Sequence, residues 1–149
     1  MKAFVLIGPP GAGKSTYAKQ LAKEHNAVVI CGDLLRDQLE ATGDFEPCWV
    51  QIWDSVEESI EENCGLPIIL DGTYCRPDYR AEALTLLNTY GYTQVEAIVV
   101  NPSLEICIQQ NQQRQRQVPE HIIKEMHSSL QRTLRNLHNE GFDYVTEVA

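Results

Sequence analysis

Short apolar runs alternate along this chain with longer segments in which apolar residues recur every three or four positions. The apolar runs predict five β-strands, at residues 3–7, 27–31, 67–70, 95–100 and 142–148. The segments between them predict six helices, at 14–25, 34–42, 47–63, 77–90, 103–113 and 119–140. This alternation predicts an α/β fold in which helices cover both faces of a parallel sheet. Ligands of such sheets bind beyond the carboxyl ends of the strands, so the residues that follow each strand are the candidates for a site.

A glycine-rich loop follows the first predicted strand. It matches the pattern Gly-x-x-x-x-Gly-Lys-Ser, and a helical segment comes directly after it, which is the context that a phosphate-binding loop requires. Its glycines let successive N–H groups point into one concavity, and the helix N-terminus adds positive charge there. We therefore predict that a nucleoside triphosphate binds to Gly8, Pro9, Pro10, Gly11, Ala12, Gly13, Lys14, Ser15 and Thr16.

Two residues of this loop have predicted chemical roles. Lys14 is expected to act on the outer phosphates as a point charge, and the Ser15 hydroxyl is expected to coordinate the Mg²⁺ ion that bridges them. For Thr16, a phosphate contact and an ordinary place in the first helical turn are equally open. The predicted cofactors are ATP and Mg²⁺.

An acid and a base follow the second predicted strand. Asp33 and Arg36 are three positions apart, so they share one face of a helix that begins near Asp33. A carboxylate there can accept the proton of an attacking hydroxyl, and Arg36 can bind an anionic group on the same acceptor. The alternative is a helix cap at Asp33 and a surface ion pair at Arg36.

The third predicted strand is followed by Asp71, Gly72 and Thr73. Asp71 can hold magnesium together with Ser15 or orient the acceptor, and Thr73 is a candidate acceptor ligand beside it. A plain strand-ending turn is the alternative. Farther along, Arg80 is a candidate ligand for an acceptor phosphate, with solvent as the alternative, and solvent is favoured for Arg76.

Residues 109–119 form a polar, glutamine-rich segment between one helix and a proline that begins the next. Such a segment is typical of a lid that closes over a bound nucleotide. Of its two arginines, Arg114 is predicted to bind the nucleotide and to neutralise charge on the transferring phosphoryl group. The alternative is a solvated loop.

Charge and cysteine content restrict the compartment and the partners. The chain has 21 acidic residues and 12 Lys and Arg, and its net charge of -9 argues against broad binding along a nucleic-acid duplex. No apolar run approaches the roughly 18 to 20 residues of a membrane span. The five cysteines show neither zinc nor disulfide spacing. We expect one cytoplasmic domain, residues 1–149, without a membrane partner.

The nine acids between Asp37 and Glu62 fall in a stretch without Lys or Arg, which favours a solvated helix face. Trp49 and Trp53 recur among the apolar positions of the same helix, so we expect them in the core rather than in a base-stacking surface. The histidines of the last helix lack metal-ligand spacing.

Taken together, these residues resemble the polynucleotide-kinase branch of P-loop kinases, an AAA-type ATP-binding group related to zeta toxins. The resemblance rests on the phosphate loop, Asp33-x-x-Arg36, Asp71-Gly72-Thr73, Arg80, Asn111-x-x-Arg114-x-Arg116-x-Val118-Pro119 and Ile122-Ile123-x-x-Met126, and it extends over residues 1–131. It implies a three-layer P-loop NTPase sandwich with a parallel sheet and a short helical lid.

The resemblance also implies Mg²⁺-dependent transfer of the γ-phosphoryl group of ATP to a hydroxyl, typically the 5′-hydroxyl of a nucleic-acid end. By motif position it makes Asp33 the general base, Arg36 the acceptor-phosphate ligand and Arg114 the lid arginine. Gln110 and Tyr74 stand where the family commonly has Arg and Asn, and both departures bear on the acceptor more than on phosphoryl transfer. A small-molecule kinase and a nucleotide-binding ATPase or regulatory module are the alternatives, and Asp33 with Arg36 argues against the second.

Overall fold

A parallel sheet forms the centre of the protein. The computed structural model describes residues 1–41 and 49–148. Within them the strands are β1 (Lys2–Ile7), β2 (Val28–Cys31), β3 (Ile68–Asp71), β4 (Gln94–Val100) and β5 (Tyr144–Val148). Their order across the sheet is β2-β3-β1-β4-β5, and every neighbouring pair is parallel. The predicted α/β class with a parallel sheet is confirmed.

Six α-helices connect these strands in the described ranges. They are α1 (Lys14–His25), α2 (Gly32–Ala41), α3 (Trp49–Glu62), α4 (Pro77–Thr89), α5 (Leu104–Gln112) and α6 (Glu120–Thr133). The last predicted helix was too long, because α6 ends at Thr133 and the chain continues as a 3-10 helix, Leu134–Asn139. The predicted end of the second helix at residue 42 and the predicted start of the third at 47 lie outside the described residues. No helix in 1–41 or 49–148 has the length and apolar character that crossing a membrane requires.

The side chains of β1 point alternately to the two faces of the sheet, and helices cover both faces. Ala3, Val5 and Ile7 point into one hydrophobic cluster, which also contains residues of α3, α4 and the 3-10 helix. Phe4 and Leu6 point into a second cluster, which contains residues of α1 and α5. Burying one such side chain contributes roughly 1.5–3 kcal/mol, so the two clusters hold the helices on opposite faces.

The register of the sheet brings three strand ends together. Asp71 at the end of β3 lies beside Leu6 of β1 on one side and Cys31 of β2 on the other. The loop after β1 is joined to the turn after β3 because Gly8 N–H donates to Thr73 C=O at 2.9 Å. The three segments that carry the predicted site therefore meet at one edge of the sheet.

Candidate active site

The loop between β1 and α1 passes so close to α5 at Gly11 that only glycine fits there. Gly11 has a φ of 82°, and a Cβ there would lie 2.3 Å from the carbonyl oxygen of Cys107 in α5. Gly13 also has a positive φ, 99°, directly before α1. The close approach of the loop to α5 therefore depends on Gly11, which stands at a variable position of the Gly-x-x-x-x-Gly-Lys-Ser pattern.

Lys14 begins α1 and lies almost entirely inside the protein. Its Nζ donates a hydrogen bond to the Pro9 carbonyl oxygen at 2.9 Å. Burial lowers the pKa of this ammonium, and the nearby carboxylates of Asp71 and Asp33 oppose that shift. A buried cation at the N-terminus of a helix, directly after a glycine-rich loop, is suited to an anionic ligand.

Ser15 and Asp71 come together as the sequence predicts. The Ser15 hydroxyl donates to Oδ2 of Asp71 at 3.2 Å. Burial raises the pKa of Asp71, and Lys14 and the Ser15 hydrogen bond act in the opposite direction. Within the described residues no group of three His, Cys, Asp or Glu is arranged to hold a metal ion. One hydroxyl and one carboxylate nevertheless fit Mg²⁺, which commonly takes one or two protein oxygens and fills its remaining positions with water and phosphate.

Asp33 and Arg36 lie in the first turns of α2, on the other side of the same cleft. Asp33 is exposed, and its Oδ2 lies 3.8 Å from Nη2 of Arg114. Among the described residues Arg36 has no ion-pair partner, so the surface ion pair that was the alternative for its position is not found there. Its Nε is buried and has no hydrogen-bond partner within the described part of the chain, and its guanidinium carbon lies 5.6 Å from the centroid of the Trp49 indole ring.

One cleft collects most of the predicted site residues. Its lining includes Pro10, Gly11, Gly13, Lys14, Ser15, Thr16, Asp33, Arg36, Asp71, Thr73 and Arg114. Gly8, Pro9 and Ala12 are buried, and their contacts support the loop: Gly8 binds the turn after β3, and Pro9 accepts from both Lys14 and Ala12.

Arg80 is the predicted site residue that the structure places elsewhere. Its side chain is 0% exposed, and Nε and Nη2 donate to the two carboxylate oxygens of Glu140 at 2.6 and 2.8 Å. Nη1 donates to the Tyr74 carbonyl at 3.0 Å, and Nη2 also reaches the Thr133 hydroxyl at 3.1 Å. The prediction that Arg80 contacts an acceptor or solvent is wrong, because the protein itself uses every nitrogen of the guanidinium. Arg76, by contrast, is exposed and pairs with Asp78.

The predicted lid is shorter as a loop than the sequence suggested. Residues 109–112 complete α5, and residues 113–119 form the connection to α6. Asn111, which is buried at the end of α5, forms two hydrogen bonds with Val118 near the other end of this connection. Its Nδ2 donates to the Val118 carbonyl at 2.8 Å, and its Oδ1 accepts from the Val118 N–H at 3.0 Å.

The connection between α5 and α6, which is the predicted lid, contacts the acidic face of α2. Arg116 forms ion pairs with Asp37 and, at 3.9 Å, with Glu40, while Arg114 approaches Asp33. These acids are therefore only partly a solvated face, because they bind lid arginines. Asp44 and Glu46 of the same acidic stretch lie outside the described residues.

Four aromatic side chains beside the cleft were not predicted as site residues. Trp49, Trp53, Tyr74 and Tyr79 line a pocket that adjoins the phosphate cleft. Trp53 packs against the core, as expected, but the expectation for Trp49 is wrong, because it is 46% exposed. The spacing of the two tryptophans put them on one helix face, and nothing in the spacing showed that this face extends past the core to the cleft.

Tyr74 has an unusual backbone for its residue type. Its φ is 44°, in the left-handed region that Asn tolerates better than Tyr, and Asn is the residue that the resembling kinases commonly carry here. The Tyr74 ring lies close over Gly72, where a Cβ would meet it at 2.7 Å. Burial raises the pKa of the Tyr74 phenol well above its usual range. The Arg80 hydrogen bond to its carbonyl helps to hold this turn.

Comparison with known proteins agrees with this fold. Residues 4–133 match the AAA domain family model. The adenylate kinase of Bartonella tribocorum is 31% identical over 122 residues, which cover 72% of this chain and 60% of that enzyme. The chain spans between 20% and 60% of the length of the adenylate kinases that it matches.

Two solved structures have similar folds. A chain of the Pnkp1/Rnl/Hen1 RNA repair complex gives a TM-score of 0.73 at 24% identity, over 91% of this chain and 46% of that one. A gluconokinase from Sinorhizobium meliloti 1021 gives a TM-score of 0.65 at 14% identity, over 99% of this chain and 81% of that one. At these identities the similarity concerns the fold, which is that of P-loop kinases.

Proposed function

This chain belongs to the AAA domain family, and from that membership and its P-loop kinase fold we propose that it transfers the γ-phosphoryl group of ATP to a hydroxyl acceptor. The observation that carries the proposal is that Lys14, Asp71 and Asp33 line one cleft, with Arg36 and Arg114 beside Asp33. A module that only binds nucleotide does not require an acid and a base opposite its phosphate loop. Their presence favours transfer to a second substrate.

The proposed chemistry assigns each group a role. The N–H groups of the loop and Lys14 bind the phosphates, and Ser15 with Asp71 would hold Mg²⁺, which supplies positive charge to the outer phosphates. The acceptor oxygen attacks the γ-phosphorus, its proton passes to the Asp33 carboxylate, and ADP leaves with the electron pair of the broken P–O bond. Arg114 stabilises the charge on the transferring group.

We propose the 5′-hydroxyl of a nucleotide or of a polynucleotide end as the acceptor. Arg36 supports this choice because it can bind a phosphate next to the reactive hydroxyl. The fold shared with a chain of an RNA repair complex also supports it. With a net charge of -9, the protein is expected to bind few phosphates, so contact is limited to the end of a strand.

A small-molecule kinase is the second candidate. It is supported by the fold shared with a gluconokinase and by the same net charge of -9, which disfavours polyanionic acceptors. Transfer of labelled phosphate from ATP distinguishes the two. The acceptor series is a short 5′-hydroxyl oligonucleotide, a nucleoside 3′-monophosphate, the bare nucleoside, AMP and gluconate. We expect transfer to the first two, and transfer only to gluconate, AMP or another small metabolite would reject the nucleic-acid acceptor.

Variants of the cleft test the proposed roles of its residues. Lys14→Ala should reduce transfer by about 10²–10³-fold or more with the fold retained, because the lysine acts on developing phosphate charge. Lys19→Ala, exposed on the same helix, is the matched control. Activity of Lys14→Ala within about tenfold of wild type, a barrier change below about 1.4 kcal/mol, would reject the assignment.

Asp33→Asn separates catalysis from binding. The amide keeps the shape of the carboxylate but does not accept the proton, so transfer should be lost while ATP affinity changes little. Asp54→Asn, an exposed acid on α3, is the control. Loss of ATP affinity together with transfer would make Asp33 a nucleotide-binding residue instead of the base.

A further inference from the structure

The pocket beside the cleft has no role in the transfer chemistry described above. We call it the aromatic pocket and define it by Trp49, Trp53, Tyr74 and Tyr79, with Ile52 and Val56 of α3 at its apolar wall. It is continuous with the phosphate cleft, since both are lined by Asp33, Arg36, Trp49, Gly72 and Thr73. A substrate that reaches Asp33 from this side therefore passes along aromatic rings.

The four rings form one connected wall. The ring centroids of Trp49 and Tyr79 are 5.1 Å apart, those of Tyr79 and Trp53 are 6.2 Å apart, and those of Trp53 and Tyr74 are 6.1 Å apart. These separations are typical of interacting aromatic pairs. At one end Tyr74 is buried, and at the other Trp49 is 46% exposed, so the wall runs from the protein interior to solvent.

Arg36 provides a polar group at the junction of the aromatic pocket and the cleft. Its guanidinium lies 5.6 Å from the Trp49 ring centroid, and its buried Nε lacks a hydrogen-bond partner within residues 1–41 and 49–148. A buried donor without an acceptor is unfavourable, so a ligand that brings an acceptor oxygen or nitrogen to this point is stabilised. The junction thus suits a ligand with a polar or anionic group next to a flat apolar one.

We infer that the aromatic pocket binds the nucleobase of the acceptor while its phosphate or ribose lies at Arg36 and its hydroxyl at Asp33. This inference rests on the proposed phosphotransfer to a nucleotide acceptor and adds that recognition requires a base. Every nucleobase has a flat ring that can stack on the aromatic wall, so this contact does not depend on which base is present. A polyol such as gluconate in the same place loses hydrogen bonds to water without replacing them.

Two oligonucleotides that differ only in the presence of the 5′-terminal base test the inference. Both carry a 5′-hydroxyl and the neighbouring phosphate, but in one the 5′-terminal base is replaced by hydrogen, which leaves an abasic sugar. We expect the KM of the abasic oligonucleotide to be roughly 10- to 100-fold higher, the loss expected for one stacked base, with kcat changed much less. The bound sugar and phosphate keep their contacts in both.

A variant shows whether the effect arises at the aromatic wall. Trp49→Ala should raise the KM of the base-bearing oligonucleotide and leave that of the abasic one nearly unchanged, and Trp49→Phe should restore most of the difference. Tyr144→Ala, which removes an aromatic residue that is 61% exposed on β5, is the matched control. Because Trp49 is itself half-exposed, its truncation leaves the core intact. Quenching of tryptophan fluorescence by a nucleoside 3′-monophosphate, absent with the corresponding abasic sugar phosphate, measures the same stacking without turnover.

The outcomes distinguish failure of the base pocket from failure of the proposed function. Transfer to both oligonucleotides with equal KM values overturns the base pocket and leaves the proposed function standing. An equal loss for both acceptors in Trp49→Ala also overturns it, because the tryptophan would then act by holding Arg36. Transfer to gluconate or another sugar with none to either oligonucleotide rejects the nucleic-acid acceptor itself.

Discussion

Removal of the Glu140 carboxylate should cost this protein a large part of its stability. The Arg80 side chain is 0% exposed, and both oxygens of Glu140 bind it at 2.6 and 2.8 Å. Breaking a buried ion pair by removing one partner costs about 3–5 kcal/mol, because the remaining charge stays buried without compensation. The Glu140 side chain is 17% exposed, which allows some screening and places the expected value near the lower end.

The assay is thermal and urea unfolding of Glu140→Gln. In a domain of this size each kcal/mol lowers the melting temperature by about 2–4 °C, so a loss of about 3 kcal/mol should lower it by roughly 6–12 °C. Glu125→Gln, an exposed acid on α6, should melt like the wild type. Replacing both partners by apolar residues, Arg80→Met with Glu140→Leu, should recover much of the loss, since no charge is then left buried.

The same variants test whether Arg80 stabilises the fold or binds the acceptor. If Arg80 bound the acceptor, Arg80→Met would raise the acceptor KM without changing stability, and Glu140→Gln would have little effect on melting. A melting temperature of Glu140→Gln within about 2 °C of wild type corresponds to at most about 1 kcal/mol and would refute the reasoning.

Three further predictions concern the loop, the cysteines and the lid. Gly11→Ala should abolish ATP binding measured by titration, because its Cβ would meet a backbone oxygen at 2.3 Å at a φ of 82°. Burial raises the pKa of Cys75 to about 12, so at pH 8 iodoacetamide should label exposed Cys64 quickly and Cys75 only after unfolding, as read by peptide mass spectrometry. Asn111→Ala removes both hydrogen bonds to Val118, so limited trypsin digestion should cut the lid faster, and an unchanged rate would contradict its bracing role.

Local signals in the sequence were sufficient for the fold and for the centre of the site. The phosphate loop is contiguous, and its geometry depends on glycines within it, so the motif determines its own shape. Ser15 and Asp71 are far apart in sequence, but Asp71 ends β3 and Ser15 lies just beyond the loop that follows β1, and the parallel register brings these strand ends together. The periodicity of apolar residues located the strands and helices for the same local reason.

The sequence predictions for Arg80 and Trp49 were wrong because the surroundings of each residue depend on parts of the chain that are distant in sequence. Nothing near Arg80 in the chain shows that Glu140, 60 positions later, fills its hydrogen-bonding capacity. The pattern around Trp49 shows one apolar helix face but not how far the core extends along it. Amphipathic spacing identifies a face, whereas burial depends on the neighbours that tertiary packing supplies.

The acidic face of α2 makes a weak contact with the predicted lid. Arg114 and Asp33 are 3.8 Å apart and both partly exposed, and such a pair contributes at most about 1 kcal/mol. Bidentate, charge-assisted bonds to a phosphate are stronger, so the proposed transfer of Arg114 from Asp33 to the nucleotide is favourable. Because the same movement frees the Asp33 carboxylate, the proposed base would become available to an acceptor when ATP is bound. The ion pairs of Arg116 with Asp37 and Glu40 connect the same loop to α2 at a second point, which does not involve Asp33.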